Sequence, residues 1–92
     1  MTISDNDLKE IEELAGLFLL PDEIAVLLGK DIADFCSTLK NKRSPAYLAY
    51  FKGKTSSKTA IRRNIIKMAK NGSPGAEEMV NKYCEEQDLF EF

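Results

Sequence analysis

The three prolines of this chain, Pro21, Pro45 and Pro74, all stand where a helix begins. Proline suits the first helical position because its missing N–H would be unpaired there in any case. Pro45 and Pro74 follow Ser44 and Ser73, whose hydroxyls cap a helix start. Pro21 is followed by Asp22 and Glu23, which favour the positive end of a helix dipole. Ser4 opens an S-x-x-D capping pattern with Asp7, and Asp31 is spaced in the same way from Asp34. Gly29 and Gly72 mark helix ends, since glycine accepts the left-handed conformation needed there. No strand is readable between these signals, so the 92 residues are predicted to be all-α.

The apolar spacing fills in the helices. The first runs over roughly residues 5–18, with Leu8, Ile11, Leu14, Ala15 and Phe18 on one side. The second starts at Pro21, turns Ile24, Leu27 and Leu28 inward and ends at Gly29. The third follows Asp31, with Ile32, Phe35 and Leu39 apolar. The run PDEIAVLLGKDIADF reads as a helix-turn-helix: Ala25 is small where two helices meet, Gly29 makes the turn, and Phe35 plugs the second helix into the first. Any helical hairpin can carry the same A-x-x-x-G. Against base reading, the second helix of the pair starts with two acids, and Lys30 stands where an apolar residue is usual; Ser37 and Lys40 are its better contacts.

Pro45 opens a densely apolar start, and Ile61, Ile65, Met68 and Ala69 resume the helical period after the polar run 52–59. One long helix is the preferred reading, although a mid-helix glycine at Gly53 costs about 1 kcal/mol relative to alanine. The alternative is a break at Gly53. Ser73 and Pro74 start the last helix, with Ala76, Met79, Val80, Tyr83, Cys84 and Gln87 on one face. The short turn folds it back as an αα-hairpin. The expected architecture is therefore a homeodomain-like helix-turn-helix over 1–43, a long-helix hairpin over 44–88, and an apolar-acidic tail over 89–92, either frayed or a docking peptide.

Charge is unevenly placed along this frame. Residues 40–72 hold ten of the thirteen basic residues and no acid. Residues 1–39 carry two Lys against nine acids, and residues 73–92 one Lys against six. A basic band between acidic ends fits a polyanion such as double-stranded DNA, or a solvated helix neutralised by its own flanks. On the first reading the contacts are Ser37, Lys40, Lys42, Arg43, Lys52, Lys54 and Lys58. Arg62, Arg63, Lys67 and Lys70 lie where an antiparallel last helix brings Glu85, Glu86, Glu77 and Glu78, and so serve the hairpin. The apolar residues Tyr47, Phe51, Ile65 and Met79 exceed what so short a chain covers alone. With Arg62 and Arg63 they form the expected interface of a homo-oligomer.

Other classes are disfavoured. There is no His, the commonest general base, and no catalytic constellation, so an enzyme is not expected. The GKT at residues 53–55 is not a phosphate loop, because Leu48 replaces the required first glycine and no strand precedes it. Cys36 and Cys84 lack zinc spacing and are expected as reduced, buried small hydrophobes; no cofactor is expected. The acidic N-terminus is no export signal, and no apolar run is long enough to span a membrane, so the expected location is the cytoplasm of a bacterial host.

LAGLFLLPDEIAVLLG, SPAYLAYFKGK and AIRRNIIKMAKNGSPGAEEMVNKY together resemble the small-terminase and related phage helix-turn-helix families. Matching positions are Ile24, Ala25, Leu28, Gly29, Tyr50, Gly53, Arg62, Arg63, Ala69, Gly72, Pro74 and Ala76, and the likeness spans residues 14–83. The resemblance implies an all-helical subunit that assembles into a ring through the hairpin and binds phage DNA for packaging. It also implies a large-terminase motor subunit as a further partner. The chain departs from the family in its acidic second helix and in lacking the longer C-terminal region that commonly engages the motor. A helix-turn-helix transcriptional regulator and a structural or adaptor oligomer with no DNA role are the alternatives.

Overall fold

The computed structural model describes residues 1–91, and these form five helices and no strand. They are α1 (Asp5–Gly16), α2 (Pro21–Leu28), α3 (Ile32–Lys40), α4 (Pro45–Lys70) and α5 (Pro74–Phe90). The all-α expectation holds. Phe92, the last residue of the expected tail, lies outside the described residues; Leu89 and Phe90 belong to α5.

The helix starts have the chemistry expected of them. Ser4 and Asp7 form a reciprocal capping box at 3.0 Å in each direction. Asp31 accepts from the Asp34 N–H at 3.0 Å, and Ser73 from the Ala76 N–H at 3.4 Å. At α2 the cap comes from the other side: the Glu23 carboxylate accepts the Leu20 N–H at 2.8 Å. Each of these satisfies a backbone donor that a helix leaves orphaned.

Three helix ends share one geometry. After α2, the Lys30 N–H reaches Ala25 O at 2.9 Å and the Gly29 N–H reaches Val26 O at 3.1 Å. After α4, Ser73 bonds to Met68 O and Gly72 to Ala69 O. After α1, Leu19 bonds to Leu14 O and Phe18 to Ala15 O. These are Schellman pairs, which need a left-handed residue in the middle. Gly29 (φ 70°) and Gly72 (φ 90°) fill it at α2 and α4, whereas Phe18 (φ 62°) fills it at α1. The first helix thus stops at Gly16, short of the expected 18, and Phe18 leaves the helical period and stands exposed.

The chain divides into two compact units, Met1–Lys58 and Thr59 onward, and α4 contributes its first half to one and its second half to the other. The first unit has a true core: Ile11 and Ala15 from α1, Ile24 and Ala25 from α2, Phe35 and Leu39 from α3, and Ala46 from α4. Burying Phe35 completely contributes about 1.5–3 kcal/mol. Leu27, expected inside, is exposed, because an inward face centred on Ile24, Ala25 and Leu28 turns it about 100° away. Ile32 is also exposed, at the first position of α3.

α4 is continuous through Gly53, as the preferred reading had it, and Gly53 is buried. In the second unit, only Ala76 is buried among the described residues. Val80 and Tyr83 are half-buried on the expected face of α5, but Met79, Cys84 and Gln87 are exposed. Two helices offer one seam between them, which is too little to close over every apolar side chain. Among the described residues no helix is long and apolar enough to cross a membrane.

Candidate nucleic-acid interface

The seven residues expected to meet nucleic acid all lie in the first compact unit, and all seven are exposed. Ser37 and Lys40 are on α3, Lys42 and Arg43 in the connection after it, and Lys52, Lys54 and Lys58 on α4. That connection is locally built. Asn41 Oδ1 accepts the Arg43 N–H at 3.0 Å, and the Ser44 hydroxyl donates to Thr38 O at 3.1 Å while accepting the Tyr47 N–H. The turn that carries Lys42 and Arg43 is therefore held by its own polar side chains, leaving both cationic heads in solvent.

The basic residues differ in how committed they are. Lys40, Lys42 and Arg43 form no ion pair among the described residues. Lys52 Nζ lies 3.5 Å from Glu12, an exposed contact of small energetic weight. Lys54 Nζ sits 5.3 Å from the centre of the Tyr50 ring, a cation–π distance. Lys30 is drawn inward, donating to Thr2 O at 3.1 Å and facing Asp7 at 3.3 Å. That tie between the α2–α3 turn and the N-terminus joins residues 23 or more apart in sequence, and no local pattern announces it.

The expected oligomer residues fall in both units. Tyr47 is half-buried against the core of its own unit and stacks on exposed Phe51 at 5.8 Å between ring centres. Ile65 is half-buried, Met79 and Arg63 are exposed. Arg62 faces Glu86 at 3.5 Å and lies 4.2 Å above the centre of the Tyr83 ring. The expected approach of Arg62 toward Glu86 is thus present. Lys67 and Lys70 make no ion pair with Glu77 or Glu78 among the described residues; Glu78 instead faces Lys82 at 4.0 Å. Around Arg62 a shallow groove of about 410 Å³ is lined by Ile66, Val80, Tyr83, Cys84 and Phe90.

Neither cysteine is buried as expected. Cys84 is exposed, and Cys36 is half-buried with its thiol donating to Asp22 Oδ1 at 3.2 Å. That bond, together with desolvation and the negative charge of Asp22, pushes the Cys36 thiol up from its ordinary value; Lys40 pulls weakly the other way. Among the described residues no group of three or more His, Cys, Asp or Glu side chains is placed to hold a metal. Compared with known proteins, the chain matches no family model, and neither a curated protein nor a solved structure matches it.

Proposed function

We propose that this chain is a non-catalytic, oligomeric protein that binds double-stranded DNA, of the small-terminase type that its sequence resembles. The observation that carries the reading is the cluster Lys40, Lys42 and Arg43: three exposed cations within four residues, none paired with a carboxylate among the described residues. Unpaired cations on an ordered turn are ready for phosphates, because no internal partner must first be given up. Lys54 and Lys58, one helical turn apart on α4, extend the supply.

Oligomerisation is supported by the second unit. Ile61, Ile66, Met68, Met79, Leu89 and Phe90 are all exposed there, and Ala76 alone is buried among the described residues of that unit. Basic α4 and acidic α5 give that hairpin a surface complementary to a second copy. An assembly function with a motor subunit rests on the family resemblance alone.

The test is duplex binding by fluorescence anisotropy at 50 and 200 mM salt, with assembly followed by light scattering. Binding that weakens steeply with salt is expected. Lys42→Glu with Arg43→Glu should remove about two counterions from the salt slope. A strictly monomeric protein with no affinity for duplex at 50 mM salt would leave the adaptor and DNA-binding readings alike without a basis.

A further inference from the structure

We infer that the protein grips duplex DNA through its phosphates without reading base sequence, the tip of α3 staying out of the groove. This rests on the DNA-binding reading above and specifies the ligand: any duplex, not an operator.

Base discrimination is strongest through two-bond pairs. Arg or Lys bonds to guanine in this way, and Asn or Gln spans both edge groups of adenine, whereas Ser, Asp or Ala offers a single, weaker contact. α3 contains no Arg, Asn or Gln. Its own side chains are largely spent elsewhere. Phe35 and Leu39 are in the core, the Cys36 thiol is on Asp22, and the Thr38 hydroxyl donates to Asp34 O at 2.9 Å. What α3 exposes is Ile32, Ala33, Asp34, Ser37 and Lys40. Only the last two can donate, and both lie in its C-terminal half. Asn41, just beyond, has its Oδ1 held by the Arg43 N–H, which turns its amide toward its own connection.

Charge excludes the usual docking pose as well. A recognition helix enters the major groove by its N-terminal residues. Here that end carries Asp31, fixed by its bond to the Asp34 N–H, and exposed Asp34 beside it. Asp22 and Glu23 are exposed on α2. Four carboxylates on this helix pair repel the phosphates that flank a groove. The cations with no carboxylate partner among the described residues are at the other end of α3 and beyond it: Lys40, Lys42, Arg43, then Lys54 and Lys58. They can neutralise phosphates on the duplex edge, where no sequence information is available.

The experiment measures affinity for a random-sequence duplex, an alternating A·T duplex and an alternating G·C duplex of equal length, followed by selection from a randomised duplex pool. The expected spread is about three-fold or less, with no motif enriched, against the 10³-fold or more that separates specific from non-specific sites in sequence readers. Raising salt from 50 to 200 mM should cost roughly 40- to 500-fold in affinity for three to five phosphate contacts, equally for every duplex. Asp34→Asn should change affinity less than about two-fold, since its carboxylate is away from the phosphates. An enriched motif bound more than about 30-fold tighter than the pool, or a ten-fold gain from Asp34→Asn, would overturn the inference and leave DNA binding standing. Absence of binding to any duplex at 50 mM salt would remove both.

Discussion

Gly53 lies against the backbone of Glu12 so closely that a Cβ built on it would overlap the Glu12 carbonyl oxygen and fall 2.8 Å from its carbon. Gly16 completes the approach, its missing Cβ leaving room for Gly53 O and the Ser57 hydroxyl. This close contact of α1 with α4 accounts for a glycine in mid-helix. Gly53→Ala would gain about 1 kcal/mol of helix propensity. It would lose more, because a backbone carbonyl cannot swing aside as a side chain can; overpacking of this kind costs about 1–3 kcal/mol and often the upper part of that range. The net expectation is a loss of about 1–2 kcal/mol in urea unfolding. Gly75→Ala is the control: nothing stands within 4 Å of its missing Cβ, and a gain of up to about 1 kcal/mol is expected. Equal effects at the two positions would mean that the Glu12 contact does not constrain the fold.

Phe18 does at the end of α1 what glycine does at the ends of α2 and α4, at φ 62°. A left-handed conformation costs an L-residue roughly 1–2 kcal/mol. The ring recovers little of this, being about half exposed at 52%. Phe18→Gly should therefore raise stability by about 0.5–1 kcal/mol, the extra freedom of the unfolded chain offsetting part of the relieved strain. Thermal unfolding checks this; a clear loss would show that the Phe18 ring contributes packing beyond its exposure.

The helices were legible because their punctuation is local. Pro21, Pro45, Pro74, Ser4, Ser73, Gly29 and Gly72 act on bonds within five residues, and each does in the structure what its chemistry allows. The inward faces were legible where a helix is regular, as at Ile11, Ala15, Phe35 and Leu39. They failed at Phe18, beyond a helix end, and at Leu27, where eight residues of α2 present too few positions to fix the face by periodicity. They failed also at Ile32, the first residue of α3, and at Met79, Cys84 and Gln87 on α5, which packs on a single seam. Gly53 carried a readable hint, since a glycine kept inside a continuous helix implies a close neighbour, but the neighbour Glu12 is 41 positions away. The Lys30 contacts with Asp7 and Thr2, and the Cys36 bond to Asp22, depend on tertiary placement and leave no trace in spacing. At the candidate interface, the positions of the cations were legible and their partners were not: Lys52 faces Glu12 and Lys42 has no ion-pair partner among the described residues, with nothing in the sequence to separate them.

Asp7 should make stability depend on acid. The Ser4 N–H donating to its carboxylate holds the Asp7 pKa below its ordinary 3.8, partial burial opposes this, and the Ser4 hydroxyl and Lys30 act with it. A depressed folded-state pKa means that the ionised group stabilises the fold above the unfolded value, and that the contribution is lost as pH falls through the folded value. Wild type should accordingly exceed Asp7→Asn in urea midpoint at neutral pH, with a gap that stays level down to about pH 5. It should close as pH falls below 3.8. A gap unchanged down to pH 2 would show that the charge of Asp7 contributes nothing and that only its hydrogen-bond geometry matters.

The two cysteines should part in reactivity. A thiol reacts as its thiolate, and the Cys36 thiol is held protonated by donating to the Asp22 carboxylate, 3.2 Å away. Ionising Cys36 would break that bond and place a second negative charge beside the first. Cys84 has no such neighbour in hydrogen-bond contact among the described residues and stands exposed on α5. With a small alkylating agent at pH 8, Cys84 should be modified first, and Cys36 at least about ten-fold more slowly. Asp22→Asn removes the neighbouring charge while keeping an oxygen at the same place, so it should accelerate Cys36 and leave Cys84 unchanged. Mass spectrometry of time points reads the two sites separately. Equal acceleration of both cysteines would point to loosened structure rather than a released thiol. Faster modification of Cys36 than of Cys84 in the unaltered protein would show that the Asp22 bond does not govern its chemistry.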